Sequence, residues 1–146
     1  IIAYNLGAKQ KKRMFDTIKL AMIYATGMMI IGVIFFETIP QTLLGFFNAS
    51  EAMIKIGTPA LRIIAIHFIF AGFSIVCSAT FQAVGKGTYS LLTSLIRQLL
   101  VLLPCAYVLS LTGNLDLIWL CFPIAEIFSA VTSFILMKRT RRHLEF

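Results

Sequence analysis

Charge is what this sequence has least of. Asp, Glu, Lys and Arg together make 13% of the chain, about half the share a soluble domain carries. Acids are the scarcest: six, against thirteen lysines and arginines. With 59% apolar residues and a mean hydropathy of +0.90, this balance excludes an ordinary water-soluble domain. The basic surplus of +7 would suggest nucleic acid in a soluble protein. Here it sits in short clusters beside apolar runs, so nucleic acid is not an expected partner. Three cysteines, Cys77, Cys105 and Cys121, all fall within apolar runs. An odd number so placed is neither a disulfide framework nor a metal site. Gly85-Lys86-Gly87 lacks the rest of a phosphate-cradling loop, and no nucleophile has an adjacent base. The reading is a non-enzyme with no metal and no cofactor.

What is present is oil in span-length blocks. Four stretches, 17–36, 56–84, 89–111 and 115–137, are long and apolar enough to cross a bilayer, which takes about 20 residues. The second, with 29 residues, is about 44 Å as a straight helix; it is expected to tilt or to leave its first turns in the headgroup region. Between the first two, 41–47 reads as a short helix lying on the outer surface, with Pro40 in its first turn and Ser50 capping the next helix. The fold class is therefore an all-α membrane protein of four spans and one interfacial helix. Ten basic residues, Lys9, Lys11, Lys12, Arg13, Lys19, Lys86, Lys138, Arg139, Arg141 and Arg142, collect on one side. The positive-inside rule puts that side, and both termini, in the cytoplasm of a cell membrane. The tail KRTRR reads as a topology anchor or as a contact for anionic lipid. The opening IIAYNLGAK reads as the continuation of a longer polypeptide.

The stretch 67–87, HFIFAGFSIVCSATFQAVGKG, carries a narrow seam. At about 100° per residue, His67, Ala71, Ser74 and Ser78 share one stripe with Gln82 at its edge. Small, weakly polar seams with an oily back pack against other helices in lipid or line a cavity. The seam is expected to need partners from outside this chain. Two further ionisable groups lie deep: Arg97 in the third span and Glu126 in the fourth. Their depths agree within about one helical turn, so they are expected to pair across antiparallel helices, since an unpaired charge at that depth is costly. Such a pair is a structural lock, or a site where Glu126 exchanges a proton or cation while Arg97 is released; partners outside this chain are the third option. Pro104 and Pro123 are candidate mid-span kinks and hinges. Ser129 and Ser133 make a small-residue packing face.

Four motifs resemble those of the multidrug and toxic compound extrusion (MATE) family: YNLGAKQKKR at 4–13, FQAVGKG at 81–87, Ile96-Arg97-Gln98 with Pro104, and FPIAE at 122–126. They occur in family order and spacing over nearly the whole chain. The resemblance implies a twelve-span protein of two six-helix lobes, with residues 1–146 as the C-terminal portion of the second lobe and the first lobe as its partner. It implies export of small organic cations and amphipathic drugs in exchange for Na⁺ or H⁺, most similar to bacterial members. Some relatives place a coupling carboxylate in the span matching 56–84. This chain has no Asp or Glu there, which leaves Glu126 as the deep acid. Two other functions are weighed: a lipid-linked oligosaccharide flippase, which should need more basic residues facing its cavity than Arg97 alone, and a membrane scaffold without transport.

Overall fold

The computed structural model describes residues 1–144. Helix follows helix, because apolar runs of this length have no other way to satisfy their backbone inside lipid. A short helix, α1 (Ile2–Gly7), turns through Lys9 at φ +54° into α2 (Lys11–Thr38). The latter covers the expected first span and extends it at the basic end. Helix α3 (Pro40–Gly45) begins on its proline, where the missing N–H is not needed. Ser50 then caps α4 (Glu51–Ala65) by accepting from the Met53 amide at 3.4 Å.

The second span was expected as one helix, tilted or with its first turns in the headgroup region; it is bent instead. It is two helices, α4 and α5 (Phe68–Ala83), meeting at a 54° bend. Pro59 lies inside α4 without ending it; the chain breaks instead at Ile66–His67. Bending is how an overlong apolar stretch fits its neighbours. At the break His67 bonds the Ile64 carbonyl twice, through its own amide at 3.1 Å and through Nδ1, in place of the next helical turn. Gly85, at φ +76°, supplies the left-handed residue that turns the chain back.

The third span runs from Gly87 to Ser110 in three registers: α6 (Gly87–Leu95), a π-helical turn (Ile96–Leu102) and α7 (Leu103–Ser110). A proline ring clashes with the carbonyl four residues before it. For Pro104 that residue is Leu100, inside the wide π turn, so the turn absorbs the clash that was expected to make a kink. The fourth span opens with a short turn, α8 (Leu115–Ile118), before α9 (Cys121–Leu144). Pro123 is the third residue of α9, in the turn whose amides have no helical partner anyway. It sits just past the break at Trp119–Leu120 within the fourth span, rather than inside unbroken helix.

Among the described residues, three helices are long and apolar enough to cross a membrane, or four if the bent pair is one span. Helix α5 sits centrally, against α2, α6 and α9. Its approach to α2 depends on Gly72, where an added Cβ would lie 3.1 Å from Met29 Cγ and 3.4 Å from the Ala25 backbone. Cys77, Phe81 and Leu136 form the buried apolar cluster between α5 and α9, flanked by Met22, Phe73, Tyr89 and Met137. Large apolar side chains elsewhere point outward, including Met28, Leu100, Phe134 and Ile135, as expected where the surroundings are lipid or further helices.

Candidate functional site

The deep polar groups converge where α5, the α6–π segment and α9 meet. Starting from α5, Ser74 and Ser78 are four residues apart and Gln82 four further on, so one face presents all three. On α6 and the π turn, Ser90, Thr93, Ser94 and Arg97 repeat at helical spacing and present a matching face. Ser78 Oγ and Ser90 Oγ lie 2.5 Å apart, and Gln82 Nε2 donates to Ser90 Oγ at 2.9 Å. The seam on α5 thus finds a partner within this chain, where partners from outside were expected for it.

A groove of about 240 Å³ runs between these faces, lined by Ser74, Ser78, Gln82, Thr93, Ser94, Arg97 and Ser129 with Ile75 and Ala79. Arg97, in its lining, places Nη1 3.4 Å from Oε2 of Glu126, which does not itself line the groove. The two side chains are unequally covered: Glu126 is 5% exposed and Arg97 31% exposed. The second carboxylate oxygen, Glu126 Oε1, is buried without a hydrogen-bond partner among the described residues. A 3.4 Å contact is long for a charge-assisted bond, which is normally 2.7–2.9 Å. The carboxylate is held by one guanidinium nitrogen, and its other oxygen is buried and unsatisfied among the described residues.

Glu126 belongs to a longer feature. Glu126, Ser129, Ser133 and Thr140 lie on one face of α9, and all four are buried. Ser133 Oγ and Thr140 Oγ1 also lack partners among the described residues. The inward face of α9 thus mixes these polar groups with Ala125 and Leu136, while its large side chains Phe128, Val131, Phe134 and Ile135 stay outside.

His67 does not join the groove. It stands at the α4–α5 break, 4.8 Å from Phe68 and 6.3 Å from Phe122 between ring centroids, one end of the stripe it shares by spacing with Ser74 and Ser78. Pro104 and Pro123 lie outside the groove lining as well. The residues the sequence did not single out for it are Ser90, Thr93 and Ser94, whose i, i+3, i+4 spacing ahead of Arg97 was the available signal. A second ion pair, Arg62 to Glu37 at 3.9 Å, ties α4 to the end of α2, with both side chains about half exposed.

Helices oily outside, with polar residues gathered between them, define a multi-pass membrane protein. The chain belongs to the MatE family, whose model matches residues 1–108. It is 25% identical, over 99% of its length, to the Multidrug export protein MepA of Staphylococcus aureus (strain MRSA252), of which it spans 32%. No solved structure matches the chain.

Proposed function

We propose that this chain is the C-terminal part of the second lobe of a two-lobe, twelve-helix exporter. The exporter expels cationic or amphipathic organic compounds in exchange for Na⁺ or H⁺. The basic end of the bundle and both termini face the cytoplasm of a bacterial cell membrane. The observation that carries this reading is a hydroxyl-rich groove whose lining residue Arg97 pairs with a buried, half-satisfied carboxylate, Glu126. Such a carboxylate takes a proton or small cation at its unpartnered oxygen once a path to it opens, and its pairing with Arg97 supplies the alternative, ion-free partner. Membership of the MatE family and likeness to a multidrug export protein support the substrate class. The groove holds one cation, Arg97, too few for the pyrophosphate of a lipid-linked sugar, so the flippase reading is not favoured.

The test uses the full coding sequence in an efflux-deficient bacterium, with ethidium as the probe. Glu126→Gln keeps shape and hydrogen bonding but removes the charge. It is expected to abolish energised ethidium efflux at unchanged membrane expression. Imposed proton and sodium gradients in vesicles then identify the coupling ion. Undiminished efflux by Glu126→Gln would refute the assignment of coupling to this residue.

A further inference from the structure

The outward face of α9 carries a second binding feature, independent of the groove and of the transport reading. Ile127, Val131, Phe134 and Ile135 follow helical spacing along one stripe and are exposed. The same stripe continues into Lys138 and Arg142, with Arg139 beside them. Here the surface forms a concavity of about 660 Å³, lined by Phe134, Ile135, Lys138, Arg139, Arg142 and His143. No acidic side chain lines it among the described residues. Arg141, by contrast, turns inward over the Phe15 ring, 5.3 Å from its centroid. The tail cations thus divide into one packed against α2 and three gathered on the outer stripe.

We propose that this face is a specific site for one anionic phospholipid, with the headgroup phosphate held by Lys138, Arg139 and Arg142 and an acyl chain laid along the apolar stripe. Charge complementarity selects the headgroup: three cations within five residues, with no acid beside them among the described residues, at the foot of an apolar strip. Length selects a lipid over a free anion. From Ile127 to Lys138 the stripe is about 16 Å long at the helical rise, close to one leaflet of a hydrocarbon core about 30 Å thick. Arginine adds bidentate geometry toward phosphate oxygens that a diffuse surface potential does not need.

The experiment measures phosphatidylglycerol retained by the full-length transporter in native mass spectrometry, with thermal unfolding in phosphatidylglycerol against phosphatidylcholine nanodiscs. Each cation near a membrane surface is worth about fivefold in affinity. The triple variant Lys138→Gln/Arg139→Gln/Arg142→Gln is therefore expected to lose retention on the order of a hundredfold and to lose the lipid-dependent rise in Tm. The matched triple Lys9→Gln/Lys12→Gln/Lys19→Gln removes the same charge from exposed positions on another part of the basic end, and should keep both. Because removing cations can disturb membrane orientation, Arg139→Lys/Arg142→Lys is the second variant; it keeps every charge and is expected to lose retention severalfold. Equal losses in the two glutamine triples would overturn the proposal in favour of a non-specific surface potential. Full retention by the lysine variant would overturn the phosphate geometry, and an equal Tm rise with inorganic phosphate alone would overturn the lipid assignment.

Discussion

Replacing Arg97 with methionine removes the guanidinium while keeping much of the side chain's volume, and leaves Glu126 alone in the bundle. At the observed 3.4 Å, a unit pair attracts by about 5 kcal/mol at the effective dielectric of 20 that suits protein sites. Covering the carboxylate costs several kcal/mol in the opposite direction, and its Oε1 recovers nothing through a hydrogen bond. The intact pair is therefore worth little net, whereas breaking it strands the acid. Arg97→Met is thus expected to destabilise by about 2–4 kcal/mol, Arg97 being part-exposed. Adding Glu126→Gln should restore most of it, since no charge remains to strand. The assay is a double-mutant cycle on thermal unfolding of the full-length protein in detergent at pH 7. Equal stability of Arg97→Met and the parent at pH 7, or a double variant no better than the single, would refute the reasoning. The same cycle separates a lock from a coupling site: a lock regains efflux with stability in the double variant, whereas a coupling site regains stability alone.

Other outcomes follow from contacts already described. Ser90→Ala removes the partner of both Ser78 and Gln82 and should cost about 1–2 kcal/mol by thermal unfolding, while Ser94→Ala should change stability by less than about 0.5 kcal/mol. Gly72→Ala should be tolerated, because Met29 is flexible and the Ala25 backbone stays at contact distance. Gly72→Leu should cost about 1–3 kcal/mol by driving α5 from α2; equal stability of the two would show that the helices do not cross closely there. Pro104→Ala should shift stability by less than about 1 kcal/mol, since the π turn has already opened the Leu100 carbonyl. A larger loss, or loss of efflux at full stability, would restore Pro104 as a working hinge.

The spans, the short helix at Pro40 and the Ser50 cap were legible because each rests on local chemistry: run length, a proline in a first turn, a hydroxyl before a helix. The Arg97–Glu126 contact was legible too, through depth, since few places in a bilayer accept a charge. The bend at Ile66–His67 was not. No glycine or proline marks it, and Pro59, the residue that would have drawn attention, sits seven positions earlier in unbroken helix. Packing among α4, α5 and α9 decides that break, and packing is not written in a window of residues. The π turn was hidden for the same reason: IRQLLVL is ordinary helical sequence, and only the proline downstream hints that a wider turn relieves strain. Seam and groove lie between these cases. Ser74, Ser78 and Gln82 announced themselves by spacing, but Ser90, which meets Ser78 and Gln82, lies across a hairpin whose register the sequence leaves open.

The inward-facing polar stripe of α9 bears on how the protein is made. A helix enters the bilayer on the strength of its average oiliness, and α9 has ample, carried mainly by side chains that stay on its outer surface. Until neighbours arrive, however, Glu126 and three hydroxyls would stand against lipid tails. Insertion and assembly thus draw on opposite faces of one helix, and the second cannot lag far behind the first. A fault in α5 or in the π turn would leave α9 inserted but unsheltered, its buried acid becoming a mark by which membrane quality control could recognise an unfinished transporter.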